Sequence, residues 1–229
     1  MKFAIIIIFA LAAICIPSAM GELTAEDWSN QANQYFLNDS FEEAAASYDK
    51  ALELDPSNAD LWNNKGKALA NLGRFDDAIA SFDQALTINS SDEEALNLKG
   101  TALSQGLNRN DDAIASFNQA LQINRSSYDA WTGKGMALAK SGDLSGSLTS
   151  FETATQIEPT NPSGWNNKGV VLREMGRYQD ALTSFNEALL LNPAYDVARQ
   201  NRDNTLQDIN QDAQPRTQSG PSQSTQDML

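Results

Sequence analysis

The segment LWNNKGKALANLGRFDDAIASFDQALTINSS occupies residues 61–91 and has the periodicity of two short helices. Trp62, Gly66 and Leu69 recur at the spacing of one face of an α-helix. Gly73 then interrupts the pattern, as a glycine that ends a helix does. A second apolar face follows and consists of Ala78, Ile79, Phe82, Ala85 and Leu86. The segment therefore predicts a helix-turn-helix unit.

The same unit recurs along the chain with a nearly constant period. The pentapeptide WNNKG stands at 62–66 and again at 165–169. Large residues that open the first apolar face follow one another at spacings of 34, 34, 35 and 34 residues: Trp28, Trp62, Leu96, Trp131 and Trp165. We expect the additional residue of the third unit in the turn-forming segment QGLNRNDD, residues 105–112. A period of this length is typical of stacked arrays.

The repeated pattern resembles the tetratricopeptide repeat (TPR). The second helix of each unit carries an aromatic residue: Tyr48, Phe82, Phe117, Phe151 and Phe185. The first helix carries a small residue: Ala32, Gly66, Gly100, Gly135 and Gly169. The resemblance covers five units, residues 25–58, 59–92, 93–127, 128–161 and 162–195.

This resemblance implies an all-α, right-handed α-solenoid of five helix-turn-helix units within residues 22–195. A capping helix is expected at 196–210, because an array needs a polar cover over its last interface. We also expect the tryptophan rings to lie in the inter-helix core and to fill the glycine-sized gaps between successive hairpins.

Both ends of the chain differ in composition from the repeats. Residues 1–21 combine one lysine with a short apolar run and small residues, which is typical of a cleaved secretory signal peptide. The alternative is an uncleaved signal anchor, the only route to membrane attachment that we consider. Residues 211–229 contain few apolar side chains and are predicted to be disordered.

The composition excludes several kinds of chemistry. Beyond residue 21 the chain has no cysteine and no histidine, so it offers no thiolate nucleophile, thiolate metal site or imidazole base. The net charge of −14 would repel a phosphate backbone, which argues against a nucleic-acid partner. We identify no catalytic residues, no metal site and no cofactor, and predict that the protein is not an enzyme.

The first helices of a TPR array line its concave face, and the resemblance implies that peptides or partner helices bind there. The residues that helical spacing assigns to this groove are Asn33, Asn63, Asn64, Lys67, Asn71, Asn97, Thr101, Thr132, Met136, Lys140, Asn166, Asn167, Val170 and Arg173. This strip contains three cations and no acid, so we expect it to be the least acidic surface. Equivalent asparagines such as Asn63, Asn97 and Asn166 would pair with a peptide backbone. The alternative is that they brace neighbouring helices.

The predicted function is that of an exported, non-catalytic scaffold that binds an extended peptide or a partner helix of a protein whose identity the sequence leaves open. Two alternatives are a module that binds cell-surface glycans or envelope polymers through its tryptophans, and a self-assembling structural protein. Within the array we expect units three and four to be the least stable, because Gly133 and Gly146 stand inside helical segments.

Overall fold

The computed structural model describes residues 23–212, and this part of the chain forms α-helices without any strand. The helices are α1 (Ala25–Leu37), α2 (Phe41–Leu54), α3 (Ala59–Asn71), α4 (Phe75–Ile88), α5 (Glu93–Thr101), α6 (Asn110–Ile123), α7 (Tyr128–Ser141), α8 (Leu144–Ile157), α9 (Pro162–Glu174), α10 (Tyr178–Leu191) and α11 (Asp196–Asp212). The all-α solenoid that the repeat predicts is confirmed. The predicted signal peptide, and the predicted disordered tail beyond Asp212, lie outside the described residues.

Successive helices pack in pairs, and each pair contacts the next along the array. The first helix of each pair is α1, α3, α5, α7 or α9, and the second is the helix that follows it. Helix α11 packs on α10 and α9 after the last pair. None of the helices within residues 23–212 is long and apolar enough to cross a membrane.

Polar N-cap residues begin the first helices, and a residue with a left-handed backbone follows each of them. The N-caps of these helices are Thr24, Asn58, Asp92, Ser127 and Asn161, and each side chain accepts a hydrogen bond from a backbone amide of the first turn. In each turn between paired helices, one residue has a positive φ: Asp39, Gly73, Asn108, Gly142 and Gly176. Glycine, asparagine and aspartate tolerate this left-handed backbone best. These local signals set the length of every hairpin.

The glycine of each first helix contacts the phenylalanine of the second helix in the same unit. A Cβ atom at Gly66 would lie 2.4 Å from Cε1 of Phe82, and one at Gly169 would lie 2.6 Å from Cε1 of Phe185. Both rings are essentially buried. The expectation that tryptophans fill these gaps between successive hairpins is therefore wrong: the gap is filled by a phenylalanine from within the hairpin.

The tryptophans lie at the edge of the core and are half-buried. The indole Nε1 of Trp62 donates to the backbone oxygen of Pro56 at 3.0 Å, and Trp165 donates to Pro159 at 2.9 Å. The ammonium of Lys65 lies 5.1 Å from the ring centroid of Trp62, within the range of a cation–π interaction. Trp62, Trp131 and Trp165 thus each stabilise the turn that precedes their helix, because the indole N–H binds a carbonyl there.

The additional residue of the third unit lies in the first helix and not in the turn. After Thr101, helix α5 continues as a π-helical segment, Ala102–Gly106. A single residue inserted into an α-helix is accommodated by such a segment. Lys140 of α7 donates from Nζ to the backbone oxygen of Ser104 at 3.1 Å. A side chain of the next unit thereby binds a carbonyl of the π-helical segment.

A lysine–acid pair joins consecutive units at three junctions but not at a fourth. Nζ of Lys65 lies 2.6 Å from Oδ1 of Asp49, and the equivalent pairs are Lys99 with Asp83 at 2.6 Å and Lys168 with Glu152 at 3.5 Å. At the junction of units three and four the residue in the acid position is Asn118. Within residues 23–212, Lys134 accordingly forms no salt bridge.

Helix α11 packs through small residues. Ala198 and Thr205 are fully buried, whereas Val197 and Leu206 are about half exposed. Asn201 donates from Nδ2 to Oδ1 of Asn166 at 2.9 Å. The last interface of the array is therefore covered by a helix whose larger apolar side chains point away from the contact.

Candidate functional site

A groove runs along the first helices, and its first part is an apolar pocket of about 620 Å³ between α1, α3 and α5. Its apolar lining includes Phe36, Phe75 and Leu98, which are all half-buried. Polar groups at its edge come from Asn71 and Gln105, both exposed. Nδ2 of Asn71 donates to the backbone oxygen of Lys67 at 2.9 Å, while its Oδ1 accepts no hydrogen bond among the described residues. Half-buried rings beside exposed amides suit an apolar side chain whose backbone forms hydrogen bonds.

The groove continues into a second pocket of about 520 Å³ between α5 and α7, here called the acidic pocket. Three carboxylates line it, those of Glu93, Glu94 and Asp129. Its apolar lining includes Met136 and Leu98. Leu98 and Thr101 line both pockets, so the two adjoin one another along α5.

Two of the three equivalent asparagines connect neighbouring helices. Asn63 is 2% exposed and donates from Nδ2 to Oδ2 of Asp92, the N-cap of α5, at 2.8 Å. Asn166 is 5% exposed and accepts the hydrogen bond from Asn201 of α11. The amides at these two positions thus already bind other helices of the array.

Asn97 occupies the third equivalent position and lies in the lining of the acidic pocket. Its Nδ2 donates to Oε1 of Glu93 at 3.3 Å, while its Oδ1 is buried without a hydrogen-bond partner among residues 23–212. The Oδ1 of Asn63 is likewise buried without a partner within this range, so the unpaired oxygen is a feature of two equivalent positions of the array.

The three cations of the predicted groove bind groups of the protein itself. Lys67 pairs with Glu94, and Lys140 binds the carbonyl of Ser104. Nε of Arg173 lies 2.6 Å from Oδ2 of Asp208 in α11, and this hydrogen bond is the main reason why the pKa of Arg173 is raised. The sequence predicts the strip to be the least acidic surface, and the structure adds that carboxylates between α5 and α7 line the same groove beside it.

The other predicted groove residues differ in accessibility. Asn33 is exposed and accepts a hydrogen bond from the hydroxyl of Tyr48 at 2.6 Å. Thr132 is buried and donates to the backbone oxygen of Tyr128 at 2.9 Å. The half-buried members are Asn64, Asn167, Met136 and Val170.

Several lining residues were not among the predicted ones. Phe36, Phe75 and Gln105 line the apolar pocket, and Leu98 lines both pockets. In the sequence, Leu98 merely interrupts a series of asparagines at Asn30, Asn64 and Asn167. An apolar residue at a position that is otherwise polar is the signal that would have identified it.

The remaining chemistry of the described residues is limited. Residues 23–212 contain no group of three or more acidic, cysteine or histidine side chains arranged to hold a metal ion. The hydroxyl of Tyr128 is buried and has no hydrogen-bond partner within this range, and burial is the main reason why the pKa of Tyr128 is raised to about 12. The backbone of Gly164 lies close to this oxygen but outside hydrogen-bond geometry.

Comparison with solved structures finds the same architecture in several helical-repeat proteins. The structure of YrrB, described as a TPR protein with an unusual peptide-binding site, is 27% identical in sequence and has a TM-score of 0.62, with 78% of this chain and 92% of YrrB covered. PilW, described as a widely conserved type IV pilus biogenesis factor, is 22% identical with a TM-score of 0.69, covering 82% of this chain and 92% of PilW. MamA from Desulfovibrio magneticus RS-1 is 20% identical with a TM-score of 0.68, covering 78% of this chain and 99% of MamA.

The sequence itself matches the family described as Tetratricopeptide repeat over residues 30–93 and 104–162, and again over residues 162–195. No curated protein matches the sequence significantly. The matched segments span most of the five helix pairs that the structure describes. The chain therefore belongs to the tetratricopeptide repeat family.

Proposed function

We propose that the protein is a non-catalytic scaffold that binds an extended segment of a partner protein in the groove along its first helices. TPR proteins bind protein or peptide partners, which is the coarse function that family membership gives. The observation that carries the finer proposal is the apolar pocket, where Phe36, Phe75 and Leu98 remain partly open to solvent. Half-buried apolar side chains in a concave site gain free energy when a partner covers them.

In this proposal an apolar side chain of the partner enters the apolar pocket and its backbone lies along the exposed amides. Asn71 and Gln105 supply donors and acceptors that bind a backbone irrespective of its side chains. Asn63 and Asn166 have little exposed surface, so their contribution is to hold the helices that form the groove. Thr101 and Met136 line the route toward α7.

The similarity to YrrB supports a peptide as the ligand class. YrrB is described as a TPR protein with an unusual peptide-binding site, and 92% of its length is covered by this chain. A binding site on the tryptophans, as a glycan-binding module would need, is less well supported. The indole N–H of Trp62, Trp131 and Trp165 each binds a backbone oxygen, and a lysine ammonium lies over each ring.

We further propose that the protein is exported and acts on the outer side of a membrane. The support is the sequence of residues 1–21, which has the charge, apolar length and small residues of a signal peptide. N-terminal sequencing of the chain recovered from the export compartment tests this. A start at Glu22 is expected, and a chain that still carries residues 1–21 contradicts cleavage.

Site-specific crosslinking tests the groove. A photoreactive residue is introduced at Gln105, at the edge of the apolar pocket, in the chain from residue 22 to 229. The matched control carries the same residue at Gln119, an exposed glutamine of α6. We expect a defined partner segment to crosslink at Gln105 and not at Gln119. Equal crosslinking from both positions would show that partners do not bind in the groove.

A further inference from the structure

We infer that the groove selects a basic segment, in which an apolar anchor residue is followed or preceded within a few residues by a lysine or arginine. The anchor enters the apolar pocket and the cation enters the acidic pocket. This inference rests on the proposed function, because it names the chemistry of the partner that binds in the same groove.

The two pockets adjoin one another along α5, which connects the two parts of the motif. Leu98 and Thr101 line both the apolar pocket and the acidic pocket. In an extended chain, successive side chains point to opposite faces, and residues i and i+2 lie about 6.6 Å apart on the same face. One short segment therefore reaches both pockets with side chains two residues apart.

The charges of the acidic pocket favour a cation. Its lining contains the carboxylates of Glu93, Glu94 and Asp129 and no lysine or arginine. Glu93 accepts hydrogen bonds from Asn97 and from Asn124, whose amides are neutral and leave its charge in place. Asp129 forms no ion pair within residues 23–212. Glu94 alone has a cationic partner, Lys67 from the neighbouring helix.

The apolar lining of the acidic pocket suits a long basic side chain. Met136 and Leu98 provide apolar surface for the methylene groups of lysine or arginine, whose charged ends reach the carboxylates.

The rest of the molecule disfavours an acidic partner. Lys67, Lys140 and Arg173 are the cations of the predicted groove, and each binds an oxygen of the protein itself. The chain has a net charge of −14, so its long-range field attracts a basic segment and repels an acidic one. Charge complementarity of this kind mainly raises the association rate and the specificity.

The test is selection from a random peptide library displayed on phage, with the chain from residue 22 to 229 as bait. We expect the enriched peptides to carry a bulky apolar residue and a net positive charge. A synthetic, fluorescently labelled copy of an enriched peptide is then titrated by anisotropy against the double variant E94Q/D129N. We expect the affinity for the double variant to be about fivefold lower or more, since each lost ion pair at a partly exposed site changes binding by up to about fivefold. High salt should also lower the affinity for the wild-type chain, because it screens the same ion pairs.

The matched control is D111N/D112N, which removes two carboxylates from the first turn of α6 and changes the net charge equally. An equal loss of affinity in this control would overturn the inference, because the long-range charge of the whole chain would then explain the affinity without the carboxylates of the acidic pocket.

Enriched peptides that are neutral or acidic, yet compete for the groove and lose affinity in L98A, would overturn the basic motif and leave the proposed function intact. Tighter groove binding by a synthetic peptide of residues 213–229 than by the enriched peptides would also overturn it, since the side chains of that segment include one arginine and one aspartate and carry no net positive charge. Enriched peptides that are insensitive to L98A would contradict the proposed function itself.

Discussion

Gly66 of α3 lies directly against the ring of Phe82 in α4, so that a Cβ atom at position 66 would approach three atoms of the ring within 2.8 Å. The same contact joins Gly100 with Phe117, Gly135 with Phe151 and Gly169 with Phe185. Each phenylalanine is at most 2% exposed. The distance between the two helices of a unit is therefore set by an aromatic ring that requires a glycine opposite.

We predict that G66A lowers the free energy of unfolding by about 1–3 kcal/mol, the usual cost of overpacking a buried contact. The added methyl group cannot be accommodated without moving the ring or the backbone of α3. Chemical denaturation of the chain from residue 22 to 229, followed by far-UV circular dichroism, measures the change.

The matched control for this prediction is G73N. Gly73 has a φ of 74°, and a Cβ atom added to it would meet no other atom within 4 Å, so only its backbone conformation matters. Asp39 and Asn108 occupy the equivalent turns with a positive φ, which indicates that asparagine is tolerated there. We expect G73N to unfold within about 0.5 kcal/mol of wild type. A smaller effect of G66A than of G73N would contradict the role of the glycine–phenylalanine contact.

Asn118 occupies the position that carries an acid at the other junctions, and we predict that N118D stabilises the array. The new carboxylate would pair with Lys134 as Asp83 pairs with Lys99. The expected gain is about 0.3–1 kcal/mol, the usual value for a partly exposed ion pair, and urea denaturation measures it. The control is Q119E, which adds the same charge one residue later, on an exposed position of α6. An equal gain in both variants would contradict a specific pair with Lys134.

Native-state hydrogen exchange should detect faster opening of units three and four than of units two and five. The physical reasons are the missing ion pair at Lys134 and the π-helical segment Ala102–Gly106, whose hydrogen bonds are less favourable than those of an α-helix. Gly133 adds less to this than its helical position suggests, because it faces the ring of Phe117 and leaves room for it. Slower exchange in α7 than in α3 and α9 would contradict the prediction.

Tyr128 and Tyr48 provide a matched pair of substitutions. The hydroxyl of Tyr128 is buried without a hydrogen bond among the described residues, whereas that of Tyr48 donates to Asn33 at 2.6 Å. We predict that Y48F lowers the free energy of unfolding by about 0.5–1.5 kcal/mol, and that Y128F leaves it unchanged or raises it by about 1 kcal/mol. Urea denaturation of both variants checks this, and a greater loss in Y128F would contradict it.

Stability should fall at alkaline pH, partly through Tyr128. Burial raises the pKa of Tyr128 from 10.0 to about 12, so the folded state disfavours the tyrosinate. This contribution is fully present below pH 10 and is lost as the pH rises toward about 12. The pKa of Tyr48 is also raised by burial, which acts in the same direction. Denaturation midpoints across this range should decline less steeply in Y128F than in wild type, and parallel curves would contradict the assignment.

The candidate site was less predictable than the fold. Of the residues that helical spacing assigned to the groove, six line the two pockets: Lys67, Asn71, Asn97, Thr101, Thr132 and Met136. Acids that recur at the starts of the first helices, such as Glu94 and Asp129, are explained either by a position at the rim of the groove or by the helix dipole, and the dipole is the simpler explanation from the sequence. The structure shows that both line the groove together with Glu93. Helical spacing did not reveal the apolar pocket as a whole, whose lining combines α1, α3, α4, α5 and the π-helical segment.

The sequence by itself determined the helical class, the number of units and their period, because these depend on local signals. Capping residues such as Asn58 and Asp92, and turn residues such as Gly73, act within a few neighbouring positions. Only the tertiary structure decided which ring fills each glycine gap, where the third unit holds its additional residue, and what charge the groove carries. These properties arise from contacts between residues that are distant in sequence, such as Lys67 with Glu94, and they exist only once the helices are packed.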